Sequence, residues 1–172
     1  MEIINSNKLL DVVEGASYLL GCEIVRTLFD KEVLRATIVE TESYHQEDPA
    51  SHTFHGQSPR NIAMFGEAGH AYIYFTYGMH WCFNVTAGPK GYGAGILIRA
   101  AAPLSGVDTM RLKRGIKDIK QLTNGPAKLA QAMAIDKDLY GHDLQFPPLQ
   151  IFEPENRKLE IVQTTRIGIS LA

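Results

Sequence analysis

The chain has 172 residues, of which 45% are hydrophobic and 21% charged, with a net charge of −2 and a pI near 6.3. That length fits one domain with a real core, the composition is that of an ordinary globular protein, and no apolar run approaches the roughly 18 residues of a membrane span. The N-terminus MEIINSNKLL lacks the basic-then-apolar pattern of a signal peptide, and Cys22 and Cys82 form no close pair of the zinc or redox kind, so a reducing cytoplasmic setting is expected.

In chain order, Leu9 to Leu20 reads as a helix. Two β-branched runs follow, CEIVRTLF and EVLRATIVETESY, and predict a hairpin about the turn Phe29-Asp30-Lys31. HQEDPASHTFHGQSPRN is polar and rich in turn formers, the mark of a loop. AYIYFTYGMHWCFNVT alternates at the strand period, with Ala71, Ile73 and Phe75 on one face and Tyr72, Tyr74 and Thr76 on the other, and reverses near Gly78. Trp81, Phe83 and Val85 then return opposite His80, Cys82 and Asn84, leaving Tyr77 at a tip where small polar residues are usual. GILIRAAAP predicts a short apolar strand, LSGVDTMRLKRG a helix, and GPAKLAQAMAI a further helix opened by Pro126 with Lys128 in its first turn. Beyond Gly141 the chain is Pro-rich and strand-like to Ala172. Strand and helix alternate too irregularly for a doubly wound sheet, so the expected architecture is α+β, a single compact domain around a largely antiparallel sheet.

The acidic average hides an asymmetry. Residues 1–98 carry a charge of −5, whereas Arg99 to Lys128 carries +5. Charge segregated in this way offers a basic surface to phosphates, or forms the solvated face of a helix over MRLKRGIKDIKQ. In VETESY the two-residue period brings Glu40, Glu42 and Tyr44 to one face. A carboxylate in a partly closed pocket can serve as a general base when a cation or a bound water stabilises its ionised form. Arg99 is the candidate cation, and a plain salt bridge is the alternative. His45, His52 and His55 follow. His52-x-x-His55 with Glu42 is compatible with a metal site, but the spacing lies in a loop, no HExxH occurs, and backbone hydrogen bonding is the simpler reading for His45 and His55. No Gly-x-Ser-x-Gly, P-loop or dinucleotide fingerprint is present. Asn84, polar in an apolar strand, either caps a bulge or presents its amide to a ligand's polar edge. Tyr72 and Tyr74 read as sheet packing, yet Tyr44 and Tyr74 facing one cavity can sandwich a flat aromatic ligand, at roughly 1 to 3 kcal/mol per stacked base.

VETESYHQEDPASHTFHGQSPRN, MFGEAGHAYIYFTYGMHWCFNV, ILIRAAAPLSG, RLKRG, NGPAKLAQAMAI and TRIGIS, in this order from about Leu19 to Ser170, closely resemble the 3-methyladenine DNA glycosylases of the alkyladenine type. The resemblance implies a monofunctional base-excision repair enzyme that flips alkylated or deaminated purines out of duplex DNA and hydrolyses the N-glycosidic bond, leaving an abasic site. It implies a curved antiparallel sheet flanked by helices, with a protruding hairpin. By motif, Glu42 resembles the general base, Arg99 its partner in holding the water, and the main-chain carbonyl of Ile167 a third contact. Tyr44, His52 and Tyr74 resemble the pocket lining, the two rings stacking on the base and His52 bonding its edge, and Asn84 resembles the residue that disfavours a guanine amino group. Tyr77 resembles the wedge that fills the space of the extruded nucleotide, a role that recovers part of the stacking lost on flipping. Arg111, Lys113, Arg114 and Lys128 are the implied phosphate contacts. The implied partner is double-stranded DNA containing damaged purines, with no cofactor, no metal and no membrane. A monomer is expected, at the bacterial nucleoid or in a eukaryotic nucleus.

Two features depart from the family pattern. The chain ends at Ala172, just after TRIGIS, where members continue through an aromatic and basic segment, so the C-terminus reads as shortened relative to the family, which leaves the final strand and the pocket floor open. The turn GPKGYGAG is also glycine-heavy. The competing expectations are a damaged-DNA-binding module without activity and a metal-dependent hydrolase using Glu42, His52 and His55.

Overall fold

A computed structural model of the chain describes residues 1–156, 159–166, 168 and 169. The two expected hairpins form from β1 (Glu23–Thr27) with β2 (Val33–His45) and from β3 (Ala71–Thr76) with β4 (His80–Thr86). With β5 (Ala94–Ser105) and β6 (Leu149–Phe152) they make a six-stranded sheet of order β3-β4-β5-β2-β1-β6, every pairing antiparallel. The sheet curls into a half-barrel accompanied by α1 (Val12–Leu19), α2 (Val107–Arg114) and α3 (Pro126–Ala132). The α+β expectation holds. Alternate positions of the strands supply one apolar face: Leu34, Ala36 and Ile38, then Phe83 and Val85, then Ile96 and Ile98. They close with Leu19 and Leu129 into a common core.

Local chemistry moves several element ends. Asp11 accepts hydrogen bonds from the amides of Val13 and Glu14, which starts α1 at Val12 rather than Leu9. The preceding Ser6–Leu9 closes as a separate 3₁₀ turn. β5 runs twelve residues, longer than the short strand expected, and ends only at Gly106, whose φ of 72° is left-handed. The strand-like reading from Gly141 to Ala172 is corrected over the described residues, residues 157, 158, 167 and 170–172 lying outside them. β6 is the strand formed there among the described residues, bounded by Pro147, Pro148 and Pro154, which have no amide hydrogen to give a ladder. Residues 161–166 lie instead along α1 and the end of β2.

The feature that positions the site is a double irregularity between β2 and β5. Ile38 pairs with Ala101, Glu40 with Ala100 and Thr41 with Ile98, so Val39 and Arg99 have no partner across the ladder. Each strand thereby changes parity. Ile38 and Ile98 face the core before the break; beyond it Ala101 is in the core, and the Thr41 hydroxyl donates to the Ala16 carbonyl of α1 at 2.9 Å. Glu42, Tyr44 and Arg99 thus come to the wall of one cavity, and Glu42 and Arg99 also line a smaller one beside α1.

Candidate active site

The two neighbouring glutamates end in different surroundings. The Glu40 side chain is 57% exposed and that of Glu42 is 6% exposed, yet both reach Arg99: Glu40 Oε2 lies 3.8 Å from Nε and Glu42 Oε1 3.5 Å from Nη1. Glu42 Oε2 accepts a hydrogen bond from the Tyr44 hydroxyl at 2.8 Å. The Tyr44 phenol is held far above its ordinary pKa, first by desolvation and then by this bond to a carboxylate, so it is a donor throughout the physiological range. Glu42 is therefore a nearly buried carboxylate with a cation on one oxygen and a hydroxyl donor on the other. Those neighbours fix the orientation of the carboxylate at the cavity wall, the placement a general base needs.

Glu42, Tyr44, Tyr74, Tyr77 and Arg99 line one cavity of about 790 Å³, closed on other sides by Asp48, Cys82, Leu97, Pro126 and Arg166. That volume is within the roughly 300 to 1,000 Å³ usual for a small-molecule pocket. Of the predicted pocket residues, His52 and Asn84 are not among those that line this cavity; His52 adjoins it through the Tyr74 ring. The His52 ring meets the Tyr74 ring edge-on with centroids 4.4 Å apart, and its Nδ1 pairs with the Tyr72 hydroxyl at 2.8 Å. Desolvation against these rings, with the Arg60 charge second, lowers the His52 pKa and favours the neutral imidazole. Asn84 is opposite Tyr72 in register, 5% exposed, and its Nδ2 donates to the Tyr72 carbonyl at 3.2 Å. It caps no bulge: the β3–β4 ladder is regular there.

Tyr77 is at the hairpin tip, 88% exposed, with a φ of 51° next to Gly78 at 66°. A left-handed non-glycine residue costs on the order of 1 kcal/mol or more, and such residues gather at functional sites. On the face of the hairpin away from the cavity Phe75 and Trp81 pair with ring centroids 4.6 Å apart, which stiffens the stalk beneath the exposed ring.

The basic residues divide. Lys128 follows directly on the cavity-lining Pro126 and Ala127 and bonds Asn124 Oδ1 at 2.9 Å. Arg111, Lys113 and Arg114 lie on α2 and do not line the cavity. Arg111 is already tied to Asp108 at 2.8 Å and to the Lys117 carbonyl at 3.0 Å, and Arg114 donates to Gln131 Oε1. Ile167 lies outside the described residues. Among the described residues no three His, Cys, Asp or Glu side chains converge as a metal-binding group, and Glu42, His52 and His55 do not form one.

Sequence reasoning missed the second layer of this site. Arg166 lies over the Tyr44 ring at 4.6 Å and pairs with Asp48, whose carboxyl is held below the usual range mainly by that contact. Asn61, 3% exposed, ties down the loop that carries His52 by donating to the carbonyls of His52 at 2.8 Å and Gly56 at 3.0 Å. An arginine in a short strand-like tail and an asparagine in a polar loop have no periodicity to mark them. Tyr72, read as packing, is that, but its hydroxyl also sets the His52 ring.

With this geometry in place, comparison with known proteins is specific. The family model described as methylpurine-DNA glycosylase (MPG) matches residues 6–172. A Carboxydothermus hydrogenoformans protein named "Putative 3-methyladenine DNA glycosylase" is 48% identical over 163 residues, covering 93% of this chain and 84% of the relative. Proteins of the same name from Methanoculleus marisnigri and Agrobacterium fabrum are each 46% identical, over 94% of this chain and 85% and 79% of their own lengths. A family-wide match combined with identity at this level leaves one assignment: the chain belongs to the methylpurine-DNA glycosylase family.

Proposed function

We propose that the protein is a monofunctional, metal-independent DNA glycosylase that extrudes damaged purines from duplex DNA and hydrolyses their N-glycosidic bond. The observation that carries this reading is Glu42, nearly buried at a cavity wall between Arg99 and the Tyr44 hydroxyl, in the same cavity whose rim bears the exposed Tyr77. In the proposed reaction Glu42 accepts a proton from a water held with Arg99 and with the Ile167 carbonyl. The water oxygen bonds C1′ of the sugar as the C1′–N9 bond breaks and its electron pair leaves with the purine. The carboxylate also stabilises oxocarbenium character on the sugar. A cationic alkylated purine departs neutral; hypoxanthine departs as an anion unless it is protonated and is the harder substrate.

Tyr44 and Tyr74 stack the extruded base, and His52 offers its Nε2 to the base edge, since Nδ1 is engaged by Tyr72. Asn84, paired with Tyr72 on the neighbouring strand, disfavours a guanine amino group. Tyr77 enters the duplex in place of the extruded nucleotide, and Arg111, Lys113, Arg114 and Lys128 meet phosphates. The protein acts as a monomer inside the cell; among the described residues no helix is long and apolar enough to cross a membrane.

The reading is tested by incubating the protein, in EDTA, with duplexes bearing one hypoxanthine or ethenoadenine and with alkylated DNA. Release of free base with an uncut strand is expected. No release from any of these duplexes, with lesion DNA still bound, would favour a damaged-DNA-binding module.

A further inference from the structure

Arg166 reaches three groups at once. Its guanidinium lies over the Tyr44 ring at 4.6 Å, its Nη1 donates to the Ser43 carbonyl at 3.2 Å, and the same nitrogen pairs with Asp48 Oδ2. Asp48 is itself fixed, because its Oδ1 accepts from the Ala50 amide at 2.9 Å. The Asp48 side chain is 11% exposed and that of Arg166 is 30% exposed, so the pair is partly shielded from water. Tyr44, Asp48 and Arg166 are all walls of the cavity that holds Glu42, and Tyr44 is the hydroxyl donor to Glu42 at 2.8 Å.

We propose that Arg166 is a positioning residue that clamps the Tyr44 ring against the strand and the Asp48 loop, keeping its hydroxyl on Glu42 and its face turned to the bound purine. An unclamped tyrosine at a cavity wall samples rotamers that withdraw both the hydroxyl and the stacking face. A planar guanidinium suits the task better than an ammonium, because it can stack on a ring while its edge meets a carbonyl and a carboxylate. Misplacement by about 1 Å near a reacting centre costs up to roughly a hundredfold in rate. The kinetic part of this inference rests on the glycosylase reading; the clamp itself does not.

Two measurements separate them. In the free protein labelled at tyrosine Cζ, with the Tyr44 resonance assigned through Tyr44→Phe, that resonance is expected to move in Arg166→Gln and stay in the surface control Lys137→Gln. An unmoved resonance overturns the clamp whatever the activity. In single-turnover base release, Arg166→Gln is expected to be about ten- to hundredfold slower with lesion-DNA affinity within about threefold of wild type, and Arg166→Lys to recover part of the rate. Asp48→Asn, which loosens the clamp from its other side, shifts the rate in the same direction and guards against a misfolded arginine variant. The double variant Tyr44→Phe/Arg166→Gln is expected to be no slower than its slower parent. A wild-type rate in Arg166→Gln, additive losses in the double variant, or a loss confined to affinity would each overturn the proposal, the last marking Arg166 as a phosphate contact. Absence of base release by wild type would instead sink the glycosylase reading and leave the resonance to decide the clamp.

Discussion

At Tyr77 the chain accepts a left-handed backbone on a bulky, 88% exposed ring. Such a residue adds nothing to the core, so replacing it separates strain from use. Tyr77→Asn is expected to leave the melting temperature unchanged or raise it, by the equivalent of up to about 1 kcal/mol. On the wedge role proposed for Tyr77, lesion-DNA affinity is expected to fall about tenfold or more, the stacking lost on flipping being no longer recovered. Thermal melts and duplex-binding titrations check the two halves, and unchanged lesion affinity would reduce the ring to an ornament of the turn. Tyr77 was legible in the sequence, since a two-residue period that reverses at a glycine places the preceding residue at the tip. Glu42 was legible only in part. The same period puts Glu40 and Glu42 on one face, and what distinguishes them, burial of one and exposure of the other, follows from the break at Val39 and Arg99, which no local pattern announces.

Among the elements, the hairpins and the order of helices were readable because period and turn chemistry are local signals. The docking of the loop that carries His52 was not, because it depends on close approach between distant segments. Thr53, 1% exposed, donates to the Gly93 carbonyl at 2.9 Å, and a Cβ built on Gly93 would stand 2.6 Å from Phe65 and 2.7 Å from Thr53. Gly93 is a contact surface for this loop. Gly93→Ala is expected to destabilise the protein by about 1 to 3 kcal/mol, the range for overpacking a buried site. It should also slow base release by displacing His52. Urea unfolding with an unchanged midpoint would show that the loop yields without cost. The tail misread has the opposite origin. Its alternation resembles a strand, but the structure ties residues 161–166 to the strand end through the Arg166 side chain, and a side-chain tether leaves no ladder pattern in the sequence.

For the molecule as a whole, a net charge of −2 coexists with a basic segment, so attraction to DNA must come from a patch. The structure ranks its members. Lys128 stands next to the cavity wall, whereas Arg111 is already held by Asp108 and the Lys117 carbonyl. Lys128→Ala is expected to lower the slope of log affinity against log salt by about 1, and Arg111→Ala by less. Equal slopes for wild type and Lys128→Ala would remove that lysine from the DNA-binding face. The account turns finally on Glu42, and the most direct measurement is single-turnover base release set beside lesion-DNA affinity for wild type and Glu42→Gln. Glutamine keeps the size and hydrogen-bonding edges of the side chain but cannot take a proton from water. A rate at least about a hundredfold lower, with affinity preserved, is the predicted result. A Glu42→Gln enzyme that releases base at the wild-type rate would contradict the account.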